Sequence, residues 1–185
     1  MEEGGMTVPE PQKKETFFRS AAFRKMVLTV VCVAVLASLL LNLFTFVMPI
    51  VRYYGESMSP TLSDRQILVV SKISEVEPGD IVAFYYNNKV IVRRVVASGN
   101  NQVVIDLFGA VSVNGEVLEE PYVESPTLGQ CNVDFPYNVP AGAFFVLGDN
   151  RAVAMDSRLA EIGPVTPDRL IGKVVYSIAP FGPVR

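Results

Sequence analysis

Ser57 is the residue that its type and its neighbours make the best candidate for a nucleophile. It lies in the stretch 54–62 (YGESMSPTL), a few residues after a long uncharged segment ends. Gly55 leaves no side chain over the approach to the serine hydroxyl, and Pro60 stiffens the backbone just beyond it. A serine hydroxyl becomes a good nucleophile when a neighbouring base removes its proton. The alternative interpretation is an ordinary turn that leads out of the apolar segment.

The composition excludes several classes of chemistry. The 185 residues contain no histidine, which excludes Ser-His-Asp catalysis, histidine-ligated zinc and histidine proton relays. The formal net charge is −3, and no basic stripe indicates nucleic-acid binding. Cys32 lies inside the apolar segment and Cys131 far downstream, so we expect no disulfide between them. No cofactor and no metal site are predicted.

The uncharged apolar segment covers residues 26–51. As a helix, at about 1.5 Å per residue, it is long enough to cross a hydrocarbon core of about 30 Å with some tilt. The alternative is a cleaved secretory signal, but the apolar region of such a signal has only about 7–15 residues. We therefore predict a transmembrane helix over 26–51, between a flexible tail of residues 1–25 and an outer domain of residues 52–185.

Basic residues on one side of this segment predict its orientation. They precede it at Lys13, Lys14, Arg19, Arg24 and Lys25. Lys and Arg hold the adjoining end of a membrane helix in the cytoplasm. We therefore predict a single-pass protein of the cell membrane, with the domain after residue 51 outside the cytoplasm. Arg52, Tyr53 and Tyr54 are predicted to be interfacial anchors at the membrane lipid rather than catalytic residues.

The remainder of the chain is predicted to be mostly β. Short segments rich in β-branched and aromatic residues are typical of strands, and they cover residues 66–71, 80–86, 89–96, 102–107, 111–113, 116–118, 143–147 and 170–176. The pairs Asn87-Asn88 and Asn114-Gly115 suit tight hairpins. Residues 119–142 contain several prolines and glycines and are predicted to form a long loop. No helix of convincing length is predicted after residue 52.

Several motifs occur in an order that resembles the type I signal peptidases, membrane-bound serine proteases that remove signal peptides from exported proteins. The motifs are the serine stretch 54–62, GDIV at 79–82, RRVV at 93–96, EPY at 120–122, GDNR at 148–151 and DSR at 156–158. The single anchor and Gly55 resemble the Gram-positive branch of this family. The resemblance covers about residues 20–180 and implies an antiparallel β domain that acts on signal-peptide-bearing precursors without a cofactor.

The same resemblance implies roles for individual residues. Ser57 would be the nucleophile, and its backbone N–H would contribute to the oxyanion hole. Gly55 and Met58 are predicted to adjoin the substrate. For Met58 a contact with lipid is an alternative, and a plain apolar contact is an equal expectation. Charged residues would hold the surrounding loops through charge-assisted hydrogen bonds; they are Asp149, Arg151, Asp156 and Arg158. Surface ion pairs are the alternative for the two arginines of this set.

Two positions depart from the pattern of this family. Arg93 stands where the family has the lysine that acts as general base, and Ala154 stands where it has the serine that orients this lysine. A guanidinium has no free lone pair, so burial does not turn it into a useful base. Lys89 and Lys72 are not natural replacements. Two functions follow from the sequence: a Ser57 endopeptidase, or a catalytically impaired homologue that binds exported proteins and assists their assembly.

Overall fold

The structure, a computed structural model, describes residues 21–179 and 181–184. The predicted tail therefore lies outside the described residues up to position 20, and with it Lys13, Lys14 and Arg19. The chain divides into two compact units, the first ending at Phe44 and the second beginning at Thr45.

The described chain begins with an α-helix, α1, which spans Ala21–Val47. Its 27 residues contain no charge after Lys25, and none of its residues is buried. By its length and its mean hydropathy of 2.7, this helix is able to cross a membrane. It ends before the apolar segment does, because Pro49 lacks a backbone N–H and disfavours helical geometry at the residue before it. Ile50–Arg52 instead form a short strand.

In the described residues after α1, eleven strands follow in chain order. They are β1 (Ile50–Arg52), β2 (Ile67–Ser71), β3 (Ile81–Tyr86), β4 (Lys89–Ser98), β5 (Gln102–Ile105), β6 (Val111–Val113), β7 (Glu116–Val117), β8 (Tyr137–Asn138), β9 (Phe144–Leu147), β10 (Leu170–Ala179) and β11 (Phe181–Pro183). One sheet has the order β1-β2-β10-β3-β4-β9, with β11 added to β10, and a smaller sheet has the order β7-β6-β5-β8. The strand pairs named within both sheets are antiparallel. The predicted fold class, an N-terminal apolar helix followed by an antiparallel β domain, is confirmed.

Two hairpins form at the asparagine-containing pairs that predicted them, because asparagine tolerates the positive φ of a tight turn. Asn87 and Asn88, between β3 and β4, have φ of 45° and 60°. Asn114 and Gly115, between β6 and β7, have φ of 53° and 88°. Two successive residues with positive φ give the turn whose twist matches antiparallel strands. The described residues after Val47 form no further α-helix, and the predicted loop 119–142 contains only the two-residue strand β8.

Strand β4 is the element that positions the candidate site. It lies between β3 and β9 in the larger sheet, with Arg93 opposite Val82 and Arg94 opposite Leu147. A buried apolar cluster formed partly by Val92 of β4 extends under the serine stretch and includes Tyr53, Met58 and Leu62. The serine stretch is thus packed onto the sheet by side chains on both sides of Ser57.

Candidate active site

Ser57 lies in a tight turn that follows β1. Backbone hydrogen bonds from Ser59 N to Glu56 O (3.0 Å) and from Leu62 N to Met58 O (2.8 Å) hold this turn. Gly55 has φ of +96°, a conformation that L side chains rarely adopt, and its N–H donates to Asp64 Oδ1 at 2.7 Å. The glycine is therefore required by backbone conformation, while a Cβ at this position would meet no atom within 4 Å.

The buried side chain of Arg93 reaches the serine from β4. Its Nη1 donates to Ser57 Oγ at 2.8 Å and to the carbonyl of Val92 at 2.6 Å, and its Nε donates to the carbonyl of Met155 at 2.9 Å. Burial lowers the pKa of Arg93, and the field of Asp156 opposes this shift. Among the described residues Arg93 forms no ion pair. Its positive charge is thus matched by carbonyl dipoles and by the serine hydroxyl.

Tyr53 also contacts the serine, and here the prediction of an interfacial anchor is wrong. The side chain is only 3% exposed and packs into the core cluster beneath the turn. Its Oη lies 3.2 Å from Ser57 Oγ and accepts a hydrogen bond from Met58 N at 2.8 Å. Nothing in the sequence distinguishes a tyrosine at a membrane interface from one in a core, because both have an apolar ring and a polar tip. Tyr54, in contrast, is 64% exposed.

Met58 does not adjoin the substrate through its side chain. It is fully buried and packs in the same core cluster, so the prediction that it would be a substrate-binding residue is wrong. The alternative expectation, a plain apolar contact, describes it. The turn directs Ser57 to the cleft and the next side chain into the core, and the Met58 N–H meets Tyr53.

The segment after β9 borders the serine from the other side. Asn150 N donates to the carbonyl of Ser57 at 3.1 Å. Gly148 approaches so closely that a Cβ there would lie 2.6 Å from the same carbonyl oxygen and would collide with the methyl group of Ala154. Ala154 is buried and brings no hydroxyl to this wall of the site. The position at which the family resemblance implies an orienting serine is therefore packed but apolar.

A second arginine of β4, Arg94, makes a buried ion pair behind the site. Its Nε and Nη2 donate to the two oxygens of Asp149 at 2.9 and 2.7 Å, a bidentate geometry. The side chains of this pair are 4% and 1% exposed. Its Nη1 donates to the carbonyl of Gly79 at 2.9 Å, and its guanidinium lies 3.9 Å from the ring centre of Tyr122. Thr61, from the serine stretch, donates to the same carboxylate.

The other charged residues predicted near the site form further buried pairs. Asp156 and Arg158 are both fully buried and pair at 2.8 Å, and Asp156 also accepts the N–H of Gly148 at 2.9 Å. Arg151 pairs with Glu120 at 2.6 Å and donates to the Gly148 carbonyl at 3.0 Å. The alternative of surface ion pairs for Arg151 and Arg158 is therefore wrong. These pairs surround the segment that carries Gly148 and Ala154.

Tyr122 is a neutral hydrogen-bond donor among these buried charged residues. Its hydroxyl donates to Glu120 at 2.9 Å. Burial raises the pKa of Tyr122, and the carboxylate of Glu120 raises it further. The phenol therefore keeps its proton, and Glu120 remains an acceptor shared between Tyr122 and Arg151.

An open cleft of about 540 Å³ gives access to Ser57 and Arg93. Its remaining walls are formed by Gly55, Glu56, Asp64, Val153 and Met155. No lysine lines this cleft among the described residues. Lys72 lies over the ring of Phe46 at 4.7 Å, and Lys173 pairs with Asp80 at 2.8 Å. The described residues contain no cluster of His, Cys, Asp or Glu suited to a metal, and both cysteines are free thiols.

Residues 23–179 match the family described as signal peptidase, peptidase S26. Signal peptidase I T of Bacillus subtilis (strain 168) is 35% identical over 168 residues, which cover 84% of this chain and 85% of that protein. Signal peptidase IB of Staphylococcus aureus (strain N315) is 33% identical over 147 residues, covering 69% and 75%. The crystal structure of a signal peptidase I from Enterococcus faecalis V583 is 26% identical, with a TM-score of 0.47 and coverage of 56% of this chain and 100% of that one.

The family match covers most of the chain, and the described part of it has the helix and the antiparallel β domain that the family resemblance implied. The chain belongs to the signal peptidase I family of serine endopeptidases, which cleave signal peptides from precursor proteins.

Proposed function

We propose that this chain removes signal peptides from exported precursors with Ser57 as the nucleophile. The observation that carries this proposal is the position of Ser57 Oγ, which borders the 540 Å³ cleft and accepts a hydrogen bond from the buried guanidinium of Arg93 at 2.8 Å. An extended segment of a precursor would enter the cleft, and Oγ would attack the carbonyl carbon of the scissile bond. The products would be an acyl-enzyme and a free amine, and water would then hydrolyse the ester.

Arg93 has an electrostatic role in this proposal. It stands at the position of the family's general-base lysine, but its guanidinium only donates hydrogen bonds. A positive charge 2.8 Å from Oγ attracts the negative charge of the alkoxide and so favours it over the alcohol. Because the guanidinium is already in place, no solvent has to reorganise when this negative charge develops. The lowered pKa of Arg93 has burial as its main cause and does not supply a lone pair for proton transfer.

The location proposed for the cleavage is the outer face of the cell membrane. α1 is the anchor, and Arg24 and Lys25 stand at its N-terminal end, the side that basic residues keep in the cytoplasm. Membrane lipid and signal-peptide-bearing precursors are the partners of the chain in this proposal, and nucleic acid and metal ions have no part in it. Asp149, Arg151, Asp156 and Arg158 support the segment beside Ser57 through the buried pairs described above.

A second candidate function is favoured by one specific observation. Ser57 contacts a donor-only guanidinium, that of Arg93, and Ala154 presents a methyl group, at the two positions where the family resemblance implies the lysine base and its orienting serine. In this second candidate, the chain would bind an extended precursor segment in the cleft without cutting it efficiently. In this candidate the protein is a catalytically impaired homologue that holds exported or surface proteins and assists their assembly.

Cleavage of a signal-peptide-bearing precursor in detergent micelles distinguishes the two functions. The comparison uses the full chain, Ser57→Ala, Arg93→Lys and the double variant Arg93→Lys/Ala154→Ser. We expect the full chain to cut and Ser57→Ala to be inactive. The double variant is expected to cut about 10²–10⁴-fold faster, because a buried lysine supplies a general base. Cleavage by the lysine variants alone would exclude the endopeptidase function and support the second candidate.

A further inference from the structure

Ser57 Oγ has two side-chain partners in the described structure, and they differ in what they can do. Arg93 Nη1 donates at 2.8 Å and cannot accept. Tyr53 Oη, at 3.2 Å, is a phenolic oxygen that can donate or accept. Any direct transfer of the serine proton to a side chain that contacts it in this arrangement therefore involves Tyr53.

The surroundings of Tyr53 orient its oxygen toward the serine. The ring is held in the core cluster under the turn, and the Met58 N–H donates to Oη at 2.8 Å. This donor approaches the oxygen from the backbone and stabilises negative charge on it. Arg93 and Tyr53 contact the same serine oxygen, so the guanidinium also lies within the range at which a positive charge favours an anion.

We propose that Tyr53 is a catalytic residue of this chain, whose phenolate accepts the Ser57 proton while Arg93 stabilises the negative charge. This inference rests on the proposed function, because it assumes that Ser57 is the nucleophile. Tyr53 thereby takes the part that a lysine has in other members of the family, and Arg93 keeps only the electrostatic part. A phenol at this place compensates for a guanidinium that cannot accept a proton.

The proton transfers balance over one cycle. The Tyr53 phenolate takes the proton of Ser57 as the Oγ–C bond forms and the carbonyl electron pair moves to the substrate oxygen. When this tetrahedral adduct collapses, the C–N bond breaks and the leaving amine takes the proton from the Tyr53 hydroxyl. The phenolate is regenerated. It next takes a proton from the water that attacks the ester, and it returns that proton to Ser57 Oγ as the acid leaves.

Among the described residues, the charged groups near this phenol come from β4 and from the turn that carries Ser57. Arg93 of β4 faces it through Ser57, and Glu56, on the same turn, is exposed in the wall of the cleft. Asp149, Asp156 and Arg158 act on Arg93 from the segment after β9.

The test measures the reactivity of Ser57 directly, with a fluorophosphonate that labels nucleophilic serines. The full chain in micelles is compared with Tyr53→Phe, which removes the hydroxyl and keeps the ring in the core. The same substitution is made in Arg93→Lys/Ala154→Ser, where a lysine is available as base. Ser57→Ala is the control for labelling elsewhere, and the unfolding midpoint of each variant shows that it is folded.

We expect Tyr53→Phe to slow labelling of the parent chain by about 10²-fold or more. In the lysine background the loss is expected to be below about 10-fold, since the phenol is no longer the base. Equal losses in the two backgrounds would overturn the inference, because they would show that Tyr53 only holds the Met58 N–H. The inference would also be overturned if the parent chain were not labelled, or if Tyr53→Phe were labelled as fast as the parent chain.

Precursor cleavage, measured on the same samples, keeps the two proposals apart. Labelling that depends on Tyr53 without precursor cleavage would contradict the proposed endopeptidase function and leave Tyr53 as the base of Ser57. Precursor cleavage that depends on Ser57 but not on Tyr53 would support that function and remove the inference.

Discussion

Arg93 and Arg94 are consecutive residues of β4, both buried, and they have very different partners. Arg94 meets the carboxylate of Asp149 with two hydrogen bonds and the ring of Tyr122 at 3.9 Å. Arg93 meets two backbone carbonyls and the hydroxyl of Ser57, and no carboxylate among the described residues pairs with it. Alternation along the strand sends the two side chains to opposite faces.

This difference in partners distinguishes the residues that support the site, the framework, from those that take part in its chemistry. A buried guanidinium paired with a carboxylate is neutralised, and removing either partner leaves an uncompensated charge. A buried guanidinium held by carbonyl dipoles keeps a net positive field, which acts on the neighbouring hydroxyl. Arg94 therefore belongs to the layer that stabilises the segment 148–158, whereas Arg93 belongs to the reacting centre.

The largest expected effect is that of Arg94→Met. This change leaves the carboxylate of Asp149 buried with Thr61 as its remaining side-chain partner. The free energy of unfolding is expected to fall by about 3–5 kcal/mol. Denaturant unfolding in micelles, followed by circular dichroism, measures it. The control is Arg94→Met/Asp149→Leu, which removes both charges and is expected to recover most of the loss. A double variant as unstable as the single one would contradict this account of Arg94.

Gly148→Ala tests the contact between the layer that contains Arg94 and the reacting centre that contains Arg93. Its effect on the free energy of unfolding is expected to be smaller than that of Arg94→Met. The added methyl group would collide with Ala154 and with the carbonyl oxygen of Ser57, which moves the serine away from Arg93. We expect a loss of about 1–3 kcal/mol in the free energy of unfolding, together with slower labelling of Ser57 by the fluorophosphonate. Gly182→Ala is the matched control, because a Cβ there meets no atom within 4 Å. Equal behaviour of the two variants would show that the close approach of Gly148 is unimportant.

The smallest effect on stability is expected from Arg93→Met. The substitution leaves no carboxylate behind and ends the cost of burying the charge, while it leaves the carbonyl of Met155 without this donor. We therefore expect the free energy of unfolding to change by no more than about 1 kcal/mol. Labelling of Ser57 is expected to slow markedly in the same variant. A loss of stability as large as that of Arg94→Met would show that Arg93 is also part of the framework.

Local patterns predicted most of the elements. Short segments rich in β-branched and aromatic residues placed the strands, and Asn87-Asn88 and Asn114-Gly115 placed two hairpins, because both signals depend on neighbouring residues only. β1 was not predicted, because Ile50 and Val51 continue the apolar segment without a change in composition. Its pairing with Ile67–Val69 is a contact with residues beyond the next turn. Such a contact has no local signal.

In the candidate site, too, contacts between residues distant in sequence could not be predicted from local patterns. Ser57 and Arg93 were singled out from sequence motifs, and the structure brings them together over 36 residues of chain. Met58 was predicted to adjoin substrate and Tyr53 to contact lipid, whereas both side chains are buried under the turn. The amphipathic ring of a tyrosine suits an interface and a core equally well. The direction of the turn decides which of the two environments it meets.

The sequence by itself determined the classes of chemistry open to this protein. It contains no histidine, it has one segment long and apolar enough to span a membrane, and it carries its motifs in the order of one peptidase family. These properties depend on residue identity and order alone. Only the tertiary structure decided that Arg93 pairs with no carboxylate of the described residues, that Arg94 pairs with one, and that Tyr53 reaches Ser57. Those contacts depend on strand register and on the path of a turn across the sheet, which bring together residues that no local pattern relates.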